Sequence, residues 1–351
     1  MTRRDQTEET LELLDELLHA FYVLQDNLKD NTAVSPGGND MFDNEAFWKY
    51  YEILLKNISK ESTNICLLFT TDLYPSATVV KPVIERLSAP VLALYSHLTT
   101  LKPEFGKVLR QSCQEHVCSV VKRLTSLVIA LKSGPEQGKH ALQATGTIWE
   151  VCDSIESLPK DNMQAVCQKI DEISQLINDA ILELTKWATD ELSMVDEVPE
   201  ESVLFTEKRD ISTRVIGMIK AMKATLAKSH SCIENASSST ANNTSNSAAE
   251  SQTATITACA DTIYSQANGL DSRCDDIAVL LYSIPEDLEQ FGNEVSSFGA
   301  VGSGIILTLR NLGFCSPDDV KRLDFLDKVF KHNAQKINEL IVEYRMQNAS
   351  V

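Results

Sequence analysis

Turn-forming residues are scarce in this 351-residue chain, with only 13 glycines and 10 prolines. A fold of many short strands needs many turns, so the scarcity favours long helices. Aromatic residues make up 6%, which is thin for an all-β core. Cations are also few: 32 Lys and Arg stand against 50 Asp and Glu, a net charge of −18. Such a surface repels phosphate backbones and anionic membranes and argues against direct nucleic-acid binding. No apolar run approaches the roughly 20 residues that span a bilayer. The N-terminal MTRRDQTEETLELLDELL has no apolar core and turns acidic and amphipathic at once, so neither a secretory signal nor a transit peptide is expected. Nine cysteines are scattered without a CxxC pair, the pattern of reduced thiols in a cytosolic or nuclear protein.

What the chain does have is apolar residues at three- and four-residue steps. Leu11, Leu14, Leu18, Phe21 and Leu28 mark a first helix, and Phe47, Tyr51, Leu54, Ile58, Ile65 and Phe69 a second. A third is expected over about 80–101, interrupted near Pro90, and a fourth from Pro103 to Leu131. In WEVCDSIESLPKDNMQAV, Pro159 ends one helix, and Asp161 or Asn162 is expected to cap the next. That next helix carries Val166, Ile170, Ile173, Ile177, Ala180, Leu184 and Trp187, a strict heptad stripe. The corner holds no nucleophile, metal cluster or glycine loop and reads as the turn of an αα-hairpin. An acidic linker is expected at about 190–203. Residues 205–233 resume helical spacing with a net basic face: Lys208, Arg209, Arg214, Lys220, Lys223 and Lys228. The small polar tract ENASSSTANNTSNSAAESQ, about 235–253, is expected to be a flexible loop. Helix follows from about 254 to 282 and on to Leu312. A last helix opens at Ser316-Pro317-Asp318-Asp319.

Motifs that could carry chemistry are weak. CQEHVC places Cys113 and His116 near one helical face but swings Cys118 away, so convergent zinc ligation is not expected; the histidine is expected to be partly exposed. His19, His97, His140, His230 and His332 are isolated in sequence and suggest no acid–base role. FGAVGSGII, with Gly299, Gly302 and Gly304, lacks a preceding strand and the phosphate-loop pattern, and reads as a close helix–helix approach. Neither a Gly-x-Ser-x-Gly elbow nor a His-Glu-x-x-His pair occurs. Trp48, Trp149 and Trp187 suit the core better than a partner surface. The basic run could meet an acidic partner or the chain's own acidic helices.

Two segments carry a resemblance. FWKYYEILLKNISKESTNICLLF (Phe47–Phe69) and IWEVCDSIESLPKDNMQAV (Ile148–Val166) resemble matching stretches of the cyclin-D-binding proteins, also called GCIP or the human homologue of Maid. The first begins on Phe47-Trp48 and carries Ser59, Glu61 and Thr63. The second carries Trp149, Cys152, Pro159, Asp161 and Asn162, and CDDIAVLLY (Cys274–Tyr282) is a weaker third match. The resemblance implies an all-helical, non-enzymatic regulator. It would bind D-type cyclins and helix-loop-helix transcription factors without touching DNA, restrain cell-cycle progression and transcription, and reside in cytoplasm and nucleus. It also implies a departure: the mammalian form has a long acidic insertion between its halves, and this chain has a short linker there.

The expectations are therefore an all-α fold of two antiparallel helical bundles with long helices of the vinculin or talin kind, one over 1–195 and one over 196–351. No catalytic residue, metal ligand or cofactor is expected. The other reading is an adhesion or cytoskeletal scaffold like vinculin, talin or α-catenin, whose long helices show the same periodicity.

Overall fold

The computed structural model describes residues 3–29, 43–70, 74–102, 105–134, 138–193, 202–241, 247–284, 287–311 and 315–348. Among these the regular structure is eleven α-helices and short 3-10 turns, with no strand. In order they are α1 (Arg3–Lys29), α2 (Asn44–Leu68), α3 (Ala77–Thr99), α4 (Lys107–Lys132), α5 (Gly138–Asp153), α6 (Asn162–Ser193), α7 (Ser202–Ala241), α8 (Ser247–Ala267), α9 (Leu270–Tyr282), α10 (Leu288–Asn311) and α11 (Pro317–Asn348). The all-α expectation holds. The chain divides into two compact units, Met1–Asn162 and Met163–Val351.

The first unit holds α1 to α5. Helix α1 buries Leu14, Leu17, Phe21, Leu24 and Leu28, with Leu17 taking the core position expected of Leu18. It runs antiparallel to α4: Leu28, Gln25 and Asp15 meet Gln114, Thr125 and Lys132 in turn. Helices α2 and α3 are antiparallel as well, since His97 donates to the Phe47 carbonyl at one end and Arg86 pairs with Glu61 at the other. Helix α3 passes through Pro82 and Pro90 without ending, so the interruption expected near Pro90 is absent. Pro90 is buried, and packing offsets the backbone hydrogen bond that proline removes.

Helix α4 starts at Lys107, not at Pro103, which lies outside the described residues. Its N-cap is Gly106, at φ 127°, a left-handed region open mainly to glycine. A Cβ there would collide with the Asn162 side chain. Asn162 in turn accepts from the Leu109 amide at 3.0 Å. Thus Asn162, expected as a cap for its own helix, supplies the missing side-chain cap of α4 from 53 residues away.

The second unit holds α6, from Met163, to α11. On α6 the heptad positions Val166, Ile170, Ile173, Ile177 and Leu184 are buried. Helix α7 lies antiparallel to it: Cys167 and Asp171 face His230, Asn178 accepts from Lys223, and Trp187 lies under Lys208. The unit boundary falls at 162/163, whereas the expected division lay at 195/196. The expected linker separates two helices of one unit, and its residues 194–201 lie outside the described set. Of the tract expected to be a flexible loop, residues through Ala241 and from Ser247 are helical, and 242–246 are not described. The helix expected over 254–282 is two, parted at Gly269, where φ is 82°.

Helices α10 and α11 approach closely. A Cβ on Gly302 would sit 2.5 Å from the Phe330 ring, and one on Gly292 3.1 Å from Ile341. Gly299 faces Met218 of α7. These glycines serve helix contact, as their context indicated. Ser316 and Asp319 form a reciprocal cap on α11: the Asp319 amide donates to Ser316 Oγ at 3.2 Å, and the Ser316 amide to Asp319 Oδ2 at 3.0 Å.

Candidate interaction surface

The histidine of CQEHVC is buried at 7% exposure, not partly exposed as expected. His116 Nε2 lies 2.9 Å from the Val151 carbonyl, and Nδ1 lies 2.9 Å from Tyr51 Oη. A carbonyl can only accept, so Nε2 carries the proton and Nδ1 accepts from the tyrosine hydroxyl. Burial lowers the His116 pKa, which keeps the ring neutral. Burial also lifts the Tyr51 hydroxyl well above its usual range and pushes the thiols of Cys113 and Cys152 up to about 12. A thiol at that value is not a thiolate near neutrality and is a poor nucleophile or metal ligand. Among the described residues, no three His, Cys, Asp or Glu side chains are grouped to hold a metal ion.

The same network ties down the corner after α5. Trp48 Nε1 donates to the Lys160 carbonyl at 3.0 Å, while Lys160 Nζ sits 4.2 Å above the Trp48 ring and donates to the Ile155 carbonyl at 2.6 Å. Trp48 is a core residue, as expected. Trp149 is not: 45% of it is exposed on α5, its Nε1 donating to Thr63 Oγ1 on α2 at 3.0 Å. Trp187 is half-buried against Tyr282, with centroids 4.7 Å apart.

Half of the six basic residues of the run make contacts within the chain. Lys208 lies over Trp187, Lys223 donates to Asn178, and Lys228 forms a largely buried ion pair with Asp319. One stretch of that helix remains open. Ala224, Ala227, Lys228 and Ser231 of α7 and Lys321, Arg322, Phe325 and Leu326 of α11 line a groove of about 560 Å³. Its floor is apolar, and Phe325 is 65% exposed. A large aromatic left in water beside small alanines is the kind of feature that partners cover. Lys321 pairs with Asp318, both highly exposed, and such pairs contribute little and exchange readily. Lys321 and Arg322 therefore give the groove a cationic edge on a chain of net charge −18.

Sequence reasoning missed this groove. An exposed Phe325 gains meaning only from the alanines of α7 beside it.

Residues 52–190 match the family model described as Grap2 and cyclin-D-interacting, N-terminal. The chain is 25% identical over 317 residues to a Cyclin-D1-binding protein 1 homolog of Xenopus laevis, covering 87% of this chain and 92% of that protein. It is 24% identical over 355 aligned residues to the homolog of Danio rerio, covering 97% and 99%. To Cyclin-D1-binding protein 1 of Bos taurus it is 26% identical over 140 residues, 40% of this chain and 39% of that one.

Proposed function

We propose that this chain, which belongs to the cyclin-D-binding protein family, is a non-catalytic interaction protein that binds a D-type cyclin. The observation that carries this reading is similarity along nearly the whole chain to relatives named for binding cyclin D1. The fold supports it: long helices bury their apolar stripes in two compact units, and α7 and α11 border an apolar groove with a cationic edge. That geometry suits an amphipathic partner helix whose apolar side meets Phe325 and whose acidic flank meets Lys321 and Arg322.

Binding to helix-loop-helix transcription factors, restraint of cell-cycle progression and transcription, and residence in cytoplasm and nucleus belong to the same proposal. The α6 stripe is buried, so a factor would have to dock elsewhere. Purified chain titrated into an immobilised D-type cyclin tests the reading directly. Saturable one-to-one binding supports it, and the absence of binding at tens of micromolar, well above ordinary regulatory affinities, removes it.

A further inference from the structure

Cys232 on α7 and Cys315, just before α11, lie 83 residues apart in sequence with their sulfurs 3.7 Å apart. Both are free thiols. We infer that Cys232 and Cys315 form a peroxide-responsive dithiol that closes to a disulfide joining α7 to the start of α11. The inference stands on this geometry and does not depend on the identity of any partner.

A disulfide needs the sulfurs at about 2.05 Å, so the pair must close by less than about 2 Å. Cys315 lies outside any helix, next to the Ser316 N-cap of α11, while Cys232 is held within α7. Its thiol is directed at the Leu309 carbonyl, 3.4 Å away, and is partly exposed; Cys232 is 1% exposed. The accessible sulfur reacts first. The Cys315 thiolate attacks one oxygen of hydrogen peroxide, giving a sulfenic acid and, after proton uptake, water. Cys232 then attacks that sulfur, the S–S bond forms, the S–O bond breaks, and a second water leaves. In sum, two thiols and one peroxide give one disulfide and two waters; each sulfur loses one electron, and the peroxide O–O bond takes up both. Burial, Cys315 and Asp319 push the Cys232 thiol up to about 12, while Lys228, one turn away, pulls the other way. Contact with the sulfenic acid compensates for the small thiolate fraction, because the step is intramolecular.

The bond would bear on the groove. Lys228 and Ser231 line it from α7, and Lys321, Arg322 and Phe325 from the first turns of α11. With α11 tied to Cys232, the width of that groove is fixed.

Full-length protein treated with equimolar hydrogen peroxide, alkylated and digested should yield a Cys232–Cys315 linked peptide. Intact mass should fall by about 2 Da, and dithiothreitol should reverse the change. Hydrogen exchange over 317–326 should slow in the oxidised form. Cys232→Ser should trap Cys315 as a dimedone-reactive sulfenic acid; conversely, Cys315→Ser should leave Cys232 a thiol. Helical circular dichroism of both variants shows that they are folded, and the wild-type cross-link stands as evidence even if one variant fails to fold. The inference is overturned if Cys315 proceeds to sulfinic acid without cross-linking, or if peroxide oxidises other cysteines while this pair stays reduced.

Discussion

In the first unit, helices are joined by side chains that reach across: Tyr51 to His116, His116 to Val151, Trp48 to Lys160, Trp149 to Thr63, Asn162 to Leu109. In the second, α10 adds missing side chains to such bonds: beside Ser303 to Asp327 and Asn338 to Ser296, Gly292, Gly299 and Gly302 let Ile341, Met218 and Phe330 come close. Directional hydrogen bonds fix both distance and rotation between helices, and a donor without its acceptor is costly when buried. Close approach fixes distance but leaves helices freer to slide. The open groove and the facing thiols both lie in this second unit, between α7 and the start of α11.

The largest expected effect breaks the first unit. Tyr51 is fully buried, and Tyr51→Ala should cost about 4 kcal/mol in denaturant unfolding, the range for deleting a buried aromatic. Tyr51→Phe removes only the hydroxyl and orphans His116 Nδ1, for about 1–2 kcal/mol. A loss for Tyr51→Phe within error would mean that the network does not set that unit's geometry.

Two glycine substitutions sharpen the contrast. Gly302→Ala gains helix propensity of about 1 kcal/mol but drives a methyl into Phe330, an overpacking cost of about 2 kcal/mol, for a net loss near 1. Gly146 on α5 has nothing within 4 Å of an added Cβ, so Gly146→Ala should stabilise by about 0.5–1 kcal/mol. Opposite signs at the two sites, read from urea midpoints, would show that close approach constrains Gly302 and not Gly146.

Acid should reach the units at different pH. The fold holds His116 below its ordinary 6.5, so it favours the neutral ring. That stabilisation is complete above 6.5 and declines as pH falls below it, because the unfolded chain then binds more protons. Asp319 is held down to about 2, against an ordinary 3.8, first by its Lys228 hydrogen bond and then by Ser316. Its contribution is present above 3.8 and is lost as pH falls toward 2. Histidine proton shifts followed by NMR should change near His116 well before the carboxylate of Asp319 titrates.

Helices and their buried faces were largely legible in the sequence, since a period of 3.6 is a local property. The glycine run of α10 and the Ser316 to Asp319 cap were legible for the same reason. The rest depends on partners distant along the chain. Asn162 looks like the cap of the helix it begins, and only the fold brings it to Gly106 and Leu109. The α6 stripe announces a buried face without naming the helices that cover it, and nothing in the local pattern marks a unit boundary at its N-terminus. His116 belongs to a helix whose spacing could not show that Tyr51 and Val151 would close over it. Phe325 reads as one more exposed aromatic until Ala224 and Ala227 are placed beside it.

The most direct test of the groove as the partner surface is a calorimetric titration of a D-type cyclin into wild-type chain and into a Lys321→Glu, Phe325→Ala double variant. Both altered side chains are exposed, so the variant should unfold at the wild-type denaturant midpoint. The expected result is one-to-one binding weakened at least about tenfold in the variant, as for loss of an aromatic anchor and a charge contact. Equal affinities for the two proteins would contradict it.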